Sequence, residues 1–432
     1  MSIPKQFMVA GVAAATLALA ACSTGSADPG SSPDAGGSES PASALSGSLE
    51  FMTGTSVDSE LYVKYEELTD AFTAENPDVD IELVPSSTDH EGELKTRLAS
   101  GNIPDIWMTH GWSLLRYSEF LMPLQDEEWA ASLSEALKPA MMGDDGSLYA
   151  MPIDVDIAGL LYNADVLAEA GWAPEDITTW DDFDAAAADV KALGKTPIYT
   201  AGKDRWPTGL FVDWIAPGAF DDAALDAMLD GEFQAADYQV ALDKIAQWRD
   251  ADLYNPDYSS ATSDDISLAL AQGDTAFSFL MNFVAVTAFT YNPDANIGFM
   301  PIPSADGGDP YLVGGEKNAL GIWKDTESPE AALAYVDFLA QPDSLSQLAQ
   351  AAGSAPGLTY ATADLGGLQS SFDTYVGVAP TVPYFDRIYM PNGAWDAIVS
   401  TAEGVLTDQM SMDEAMSKIE SDFDSLYAQQ SE

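Results

Sequence analysis

Residues 48–55 read SLEFMTGT, with apolar and polar side chains alternating as a strand entering a glycine-bearing loop. Leu61, Tyr65, Leu68 and Phe72 then recur at helical spacing, and Asn76-Pro77 ends that helix. Val79 to Val84 alternates again as a strand. A helical stretch follows around Leu94 to Ala99, and Asp105-Ile106-Trp107-Met108-Thr109 reads as a third strand. Strand, helix, strand, helix, strand predicts an α/β fold built on a parallel sheet. In such sheets ligands bind beyond the carboxyl ends of the strands, here Gly54-Thr55-Ser56 and His110-Gly111-Trp112.

The alternation continues with longer helices. Thr179-Trp180-Asp181-Asp182 has the form of a capping box, and the helix it opens is expected to stop near Gly194. Pro197 to Ala201 reads as a buried strand. A second box, Ser411-Met412-Asp413-Glu414, opens a final helix whose core face is Met416, Ile419, Phe423 and Leu426. Residues 48–432 exceed the length over which one core keeps growing, so two domains are expected. The formal net charge of −54, from 70 acidic and 16 basic residues, would repel nucleic acid and other anionic polymers. It is compatible with a solvated acidic surface, or with a site for a cationic ligand.

The first residues read as an export signal: Lys5, then an apolar run from Phe7 to Leu19, too short to span a bilayer. Leu19-Ala20-Ala21-Cys22 resembles the bacterial lipobox, so residues 1–21 are expected to be removed and Cys22 to carry lipid. The membrane partner is then reached through Cys22, on the outer face of the cell membrane, at the surface or in the periplasm. Residues 22–47 are nearly all Ser, Thr, Gly, Ala, Pro and Asp, a composition expected of a flexible tether reaching about 25–30 Å. Cys22 is the only cysteine, and His90 and His110 are the only histidines. No disulfide, cysteine metal site or histidine-rich metal centre is therefore expected in the mature chain.

No Gly-x-Ser-x-Gly elbow and no phosphate loop ending in Gly-Lys-Ser/Thr occurs. With so many acids, close carboxylate pairs arise by chance and do not specify a glycosidase. Gly307-Gly308 and Gly314-Gly315, beside Pro and Asp, read as turns or hinges. The aromatics Trp112, Trp206, Phe283 and Trp395 fall near loops or strand ends among polar residues. A pyranose ring offers an apolar C–H face to such planes, and its hydroxyls bond charged and amide side chains at the edge. Packing in a core is the competing explanation for each of them.

Gly101-Asn102-Ile103-Pro104-Asp105-Ile106, followed by Leu121-Met122-Pro123-Leu124, resembles the family 1 extracellular solute-binding proteins. These are the sugar-capturing subunits of ABC importers, the group to which maltose-binding protein belongs. The likeness continues through Asp145-Gly146-Ser147-Leu148-Tyr149-Ala150-Met151-Pro152, Gly159-Leu160-Leu161-Tyr162-Asn163-Ala164-Asp165, Ala170-Gly171-Trp172, Thr179-Trp180 and Phe183. Gly273-Asp274-Thr275-Ala276-Phe277, Gly314-Gly315 and Ser328-Pro329-Glu330-Ala331-Ala332 follow in order, so it spans residues 48–432.

The resemblance implies a two-lobed periplasmic-binding-protein fold with a hinge and an interlobe ligand cleft. Residues 48–153 and 316–370 would form one lobe, and 154–315 and 371–432 the other. It implies a monomer that hands a neutral disaccharide or oligosaccharide to membrane permease subunits, with no catalytic residue, cofactor or metal. The positions that correspond to ligand-binding ones are Thr55, Ser56, His110, Gly111, Trp112, Asp154, Asp156, Arg205, Trp206, Asn282, Phe283, Gly315, Glu316 and Trp395. Met281-Asn282-Phe283 departs from the family's usual Gly-x-Trp, leaving the shape of that subsite open. Two other readings remain: a polyamine-like cation held by Asp154, Asp156 and Glu316, or a surface glycoside-active enzyme.

Overall fold

Ser59 caps the first helix, Glu60–Glu75, its hydroxyl accepting the Tyr62 N–H at 3.1 Å. Leu61, Tyr65, Leu68 and Phe72 on that helix are buried. Phe51 and Tyr65 meet edge to face at 5.0 Å, and Phe72 meets Tyr335 the same way at 5.2 Å. Each such side chain contributes about 1.5–3 kcal/mol by leaving water, which fixes the helix over its strand. The computed structural model describes residues 45–86, 90–305 and 307–430. The export signal, Cys22 and most of the predicted tether lie outside the described residues.

Along the chain the strands are β1 (Gly47–Met52), β2 (Val79–Val84), β3 (Ile106–Met108), β4 (Met151–Pro152), β5 (Asp154–Ala158), β6 (Leu160–Asn163) and β7 (Thr196–Ile198). They continue as β8 (Thr275–Ser278), β9 (Ile297–Met300), β10 (Leu312–Glu316), β11 (Ala319–Ile322), β12 (Ala355–Pro356) and β13 (Thr381–Pro383). β1 begins at Gly47, one residue inside the stretch read as tether. β7 stops at Ile198, three residues before the expected end.

Three sheets result, ordered β2-β1-β3-β11-β4, β12-β5-β10-β13 and β7-β8-β6-β9. β1 pairs in parallel with both β2 and β3, as the alternation of strand and helix requires. β11 joins that sheet antiparallel to β3 and β4.

The run from Met151 to Asn163 serves all three sheets in succession, through β4, β5 and β6. β10 and β11 make a second passage, from the middle sheet to the first. Gly314-Gly315 therefore lies within a strand, not in a turn. A Cβ on Gly314 would sit 2.9 Å from Thr381 Cγ2 and 3.0 Å from the Asp156 carbonyl oxygen. Close strand packing, not a reversal of the chain, is what excludes a side chain there.

Around the third sheet an aromatic core forms from Trp180, Phe183, Phe211, Trp248, Phe277 and Phe279, with Phe183 and Phe277 at 4.7 Å. The capping box at Thr179 is formed: its hydroxyl accepts the Asp182 N–H, and Asp182 accepts the Thr179 N–H at 3.0 Å. The helix runs Trp180–Ala192, and Gly194 follows with φ of 81°. Ser411 and Glu414 make the same exchange at the last helix, Met412–Gln430, where Ile419 and Phe423 are buried.

Candidate functional site

Past the end of β3 the chain turns through His110 and Gly111, both with left-handed backbone, at φ of 47° and 82°. Such a conformation costs a non-glycine residue about 1–2 kcal/mol, and strain of this kind concentrates at functional loops. The turn brings His110 and Trp112 to one wall of a cavity of about 290 Å³, with Glu91 and Arg116 beside them. Trp206, Leu210 and Asp213, from the helix Trp206–Ile215, line it as well. Met281, Tyr384, Asp386, Arg387 and Trp395 complete it.

Three tryptophans and five charged side chains thus line one space. Gly209 permits one of them, because a Cβ there would lie 2.8 Å from the Trp395 ring. Gly111 admits Arg387 in the same way: a Cβ would lie 2.4 Å from Arg387 Nη1 and 3.1 Å from the Glu316 carbonyl oxygen. Arg387 Nη1 donates a hydrogen bond to that carbonyl, and its guanidinium lies 4.7 Å from the Tyr384 ring centre. Asp213 Oδ1 accepts the Asp386 N–H at 2.7 Å. Burial, then the neighbouring Asp386, raises the Asp213 pKa well above the usual carboxylate range.

The two histidines have separate tasks. His90 Nε2 donates to the Met108 carbonyl at 2.7 Å, so its Nδ1 accepts the Ser86 hydroxyl at 2.8 Å. His110 has no hydrogen-bond partner among the described residues. Burial, and then the Arg387 charge, push its pKa down to about 4. At neutral pH it presents an uncharged ring, able to donate and accept, to the cavity.

Of the expected positions, His110, Trp112, Trp206 and Trp395 line this cavity, and Gly111 shapes it. Phe283 stands behind Trp206, ring centres 6.1 Å apart. Asn282 is buried and donates to the Ile157 carbonyl at 2.7 Å. Asp154, Asp156 and Glu316 sit in the middle sheet with internal partners. Asp154 accepts the Asn318 backbone and side-chain N–H groups at 2.8 and 2.9 Å, with Lys317 Nζ at 3.7 Å. Asp156 accepts the Tyr384 hydroxyl at 2.9 Å. Glu316 accepts hydroxyls from Thr109 and Ser113, the latter at 2.6 Å.

Gly315 packs against Tyr384, where a Cβ would be 3.2 Å from the ring. Arg205 points to a neighbouring surface hollow and faces Glu403 at 3.6 Å. Thr55 and Ser56 follow β1 away from the cavity lining; the Thr55 hydroxyl is buried without a partner among the described residues.

Sequence reasoning missed Glu91, Arg116, Asp213, Asp386 and Arg387. The available signal was scarcity, since an arginine is informative in a chain with 16 basic residues.

Residues 58–345 match the family described as bacterial extracellular solute-binding protein. The melibiose/raffinose/stachyose-binding protein MelE of Bacillus subtilis (strain 168) is 30% identical over 363 residues, covering 82% of this chain and 84% of MelE. The binding protein MsmE of Bacillus subtilis, solved in an open conformation, matches with a TM-score of 0.81 at 28% identity, over 90% of this chain and 100% of that one. A sugar transporter from Bacillus licheniformis, solved in complex with stachyose, matches with a TM-score of 0.76 at 27% identity, over 88% of this chain and 100% of that one. With three sheets threaded by the same passages, a cavity walled by indoles, and a family match over most of its length, this chain belongs to the bacterial extracellular solute-binding proteins.

Proposed function

We propose that this protein is the capturing subunit of an ABC importer and encloses a neutral oligosaccharide of the melibiose, raffinose and stachyose type. The observation that carries this is the cavity itself, with Trp112, Trp206 and Trp395 on its walls and polar groups between them. Indole planes suit the C–H faces of pyranose rings, while His110, Asp386 and Arg387 suit hydroxyls. The likeness to MelE and to the stachyose-bound transporter supports the same class of solute.

The charge arrangement favours a neutral ligand. Arg116 is paired with Glu91 at 2.7 Å, and Arg387 lies beside Asp386. The lining's acids are thus engaged, with Glu91 and Asp386 beside arginines and Asp213 held by burial towards its neutral form, and the three acids suggested for a polyamine already have internal partners.

In this reading the two lobes are residues 48–153 with 316–364, and 154–315 with 365–432, hinged on β5 and β10. The third crossing is better set near 363–365. Thr362 N–H still bonds Ser346, whereas Gly367 already packs on Phe289. Contacts from both walls to one sugar favour closure, since the closed form alone makes both sets. The closed body would engage the permease, and lipid on Cys22 would keep it near. The protein then works by binding and release, without chemistry on the sugar.

A thermal-shift series with melibiose, raffinose, stachyose, maltose and spermidine tests this. Ligand at a hundredfold excess over Kd stabilises by about 2.7 kcal/mol. Stabilisation by α-galactosides is expected; stabilisation by spermidine alone, or by none of them, refutes the reading.

A further inference from the structure

One face of Trp112 is already occupied. The Arg116 guanidinium lies 3.4 Å from the ring centre. Its Nη1 donates to Glu91 Oε2 at 2.7 Å, and its Nε donates to Asn392 Oδ1 at 2.9 Å. Asn392 comes from the C-terminal segment that also carries Trp395, so this second bond ties the Trp112 turn to that segment.

The same bond stands at a boundary. Arg116 lines the cavity already described, and Asn392 lines a second one of about 360 Å³; Trp112 borders both. The second cavity also presents the rings of Tyr389 and Tyr427 and the exposed side chains of Leu115 and Leu229. Ligand pockets commonly measure about 300–1,000 Å³. The first cavity alone is at the low end of that range, and the two joined would fall well inside it.

We infer that Arg116 is a gate on chain length: stacked on Trp112 and bonded to Asn392, it closes the first cavity against the second, and its displacement opens a further subsite for additional hexose units. The inference rests on the sugar-binding reading above. Arg116 uses the interaction a sugar ring would use, an approach to the indole face, so guanidinium and sugar exclude each other there. A short saccharide fits without disturbing the contact. A longer one must break the Asn392 bond and move the guanidinium, and its extra rings then meet Tyr389 and Tyr427.

Calorimetric titrations of the wild type, Arg116→Ala and Asn392→Ala with melibiose, raffinose and stachyose test this. Removing the gate is expected to raise the stachyose-to-melibiose affinity ratio about threefold to tenfold, the scale of a lost cation–π contact. Asn392→Ala, at an exposed residue, is expected to shift the ratio in the same direction by less. An unchanged or lowered ratio in Arg116→Ala, or one factor applied to all three sugars, overturns the gate. Absence of binding by the wild type to any of the sugars would instead overturn the sugar reading itself.

Discussion

Replacing Gly111 with alanine probes the join between the His110 turn and the C-terminal segment. The new alanine must adopt φ of 82°, and its Cβ would lie 2.4 Å from Arg387 Nη1 and 2.8 Å from Arg387 Cζ. The backbone term costs about 1–2 kcal/mol. Arg387 can swing away, but it then gives up its hydrogen bond to the Glu316 carbonyl, and a bond to a charged group contributes about 1.5–3 kcal/mol. The Glu316 oxygen at 3.1 Å is backbone and cannot follow. Together these predict a loss of about 2.5–5 kcal/mol in urea unfolding, with weakened sugar binding because Arg387 lines the cavity. In an Arg387→Ala background the same substitution should lose the Arg387 part and cost less, the left-handed backbone term of about 1–2 kcal/mol and the remaining crowding against the Glu316 carbonyl. A loss below about 1 kcal/mol, or an equal loss in both backgrounds, would refute the reasoning.

Trp206→Ala and Trp395→Ala should each weaken α-galactoside binding by about 2 kcal/mol, roughly thirtyfold in Kd by calorimetry, as for buried aromatic anchors. Asp154→Asn should lower stability by about 1–3 kcal/mol in chemical unfolding, because one carboxylate oxygen that accepts from Asn318 becomes a donor. His110 is held uncharged down to a pKa of about 4, against about 6.5 when unfolded. Between those values the unfolded chain binds more protons, so this residue's contribution is complete above pH 6.5 and is lost as pH falls towards 4. His110→Gln should therefore flatten the fall in thermal stability across that window, relative to wild type, by up to about 3 kcal/mol.

The first sheet was legible because its cause is local. Leu49, Phe51, Leu61, Tyr65, Leu68 and Phe72 announce their burial by period two and period 3.6 in turn. The helix caps at Thr179 and Ser411 were legible for the same reason. The aromatic walls were partly legible: Trp112, Trp206 and Trp395 stood among polar residues near predicted loops, and all three line the cavity. The charged rim was not. Arg116 meets Asn392 across 276 positions, and Arg387 reaches Glu316 across 71, so neither pairing has a local signature. The acids at Asp154, Asp156 and Glu316 drew attention as charges near a crossing. Their burial in the middle sheet calls for internal partners, and Asn318, Tyr384, Thr109 and Ser113 provide them.

Calorimetric titration of raffinose into the wild-type protein and a Trp206→Ala/Trp395→Ala variant tests most directly whether this cavity captures an oligosaccharide. Saturable one-to-one binding by the wild type, weakened by about a hundredfold or more in the variant, is the predicted result. Equal binding by both proteins, or no heat from raffinose, melibiose or stachyose with the wild type, would contradict it.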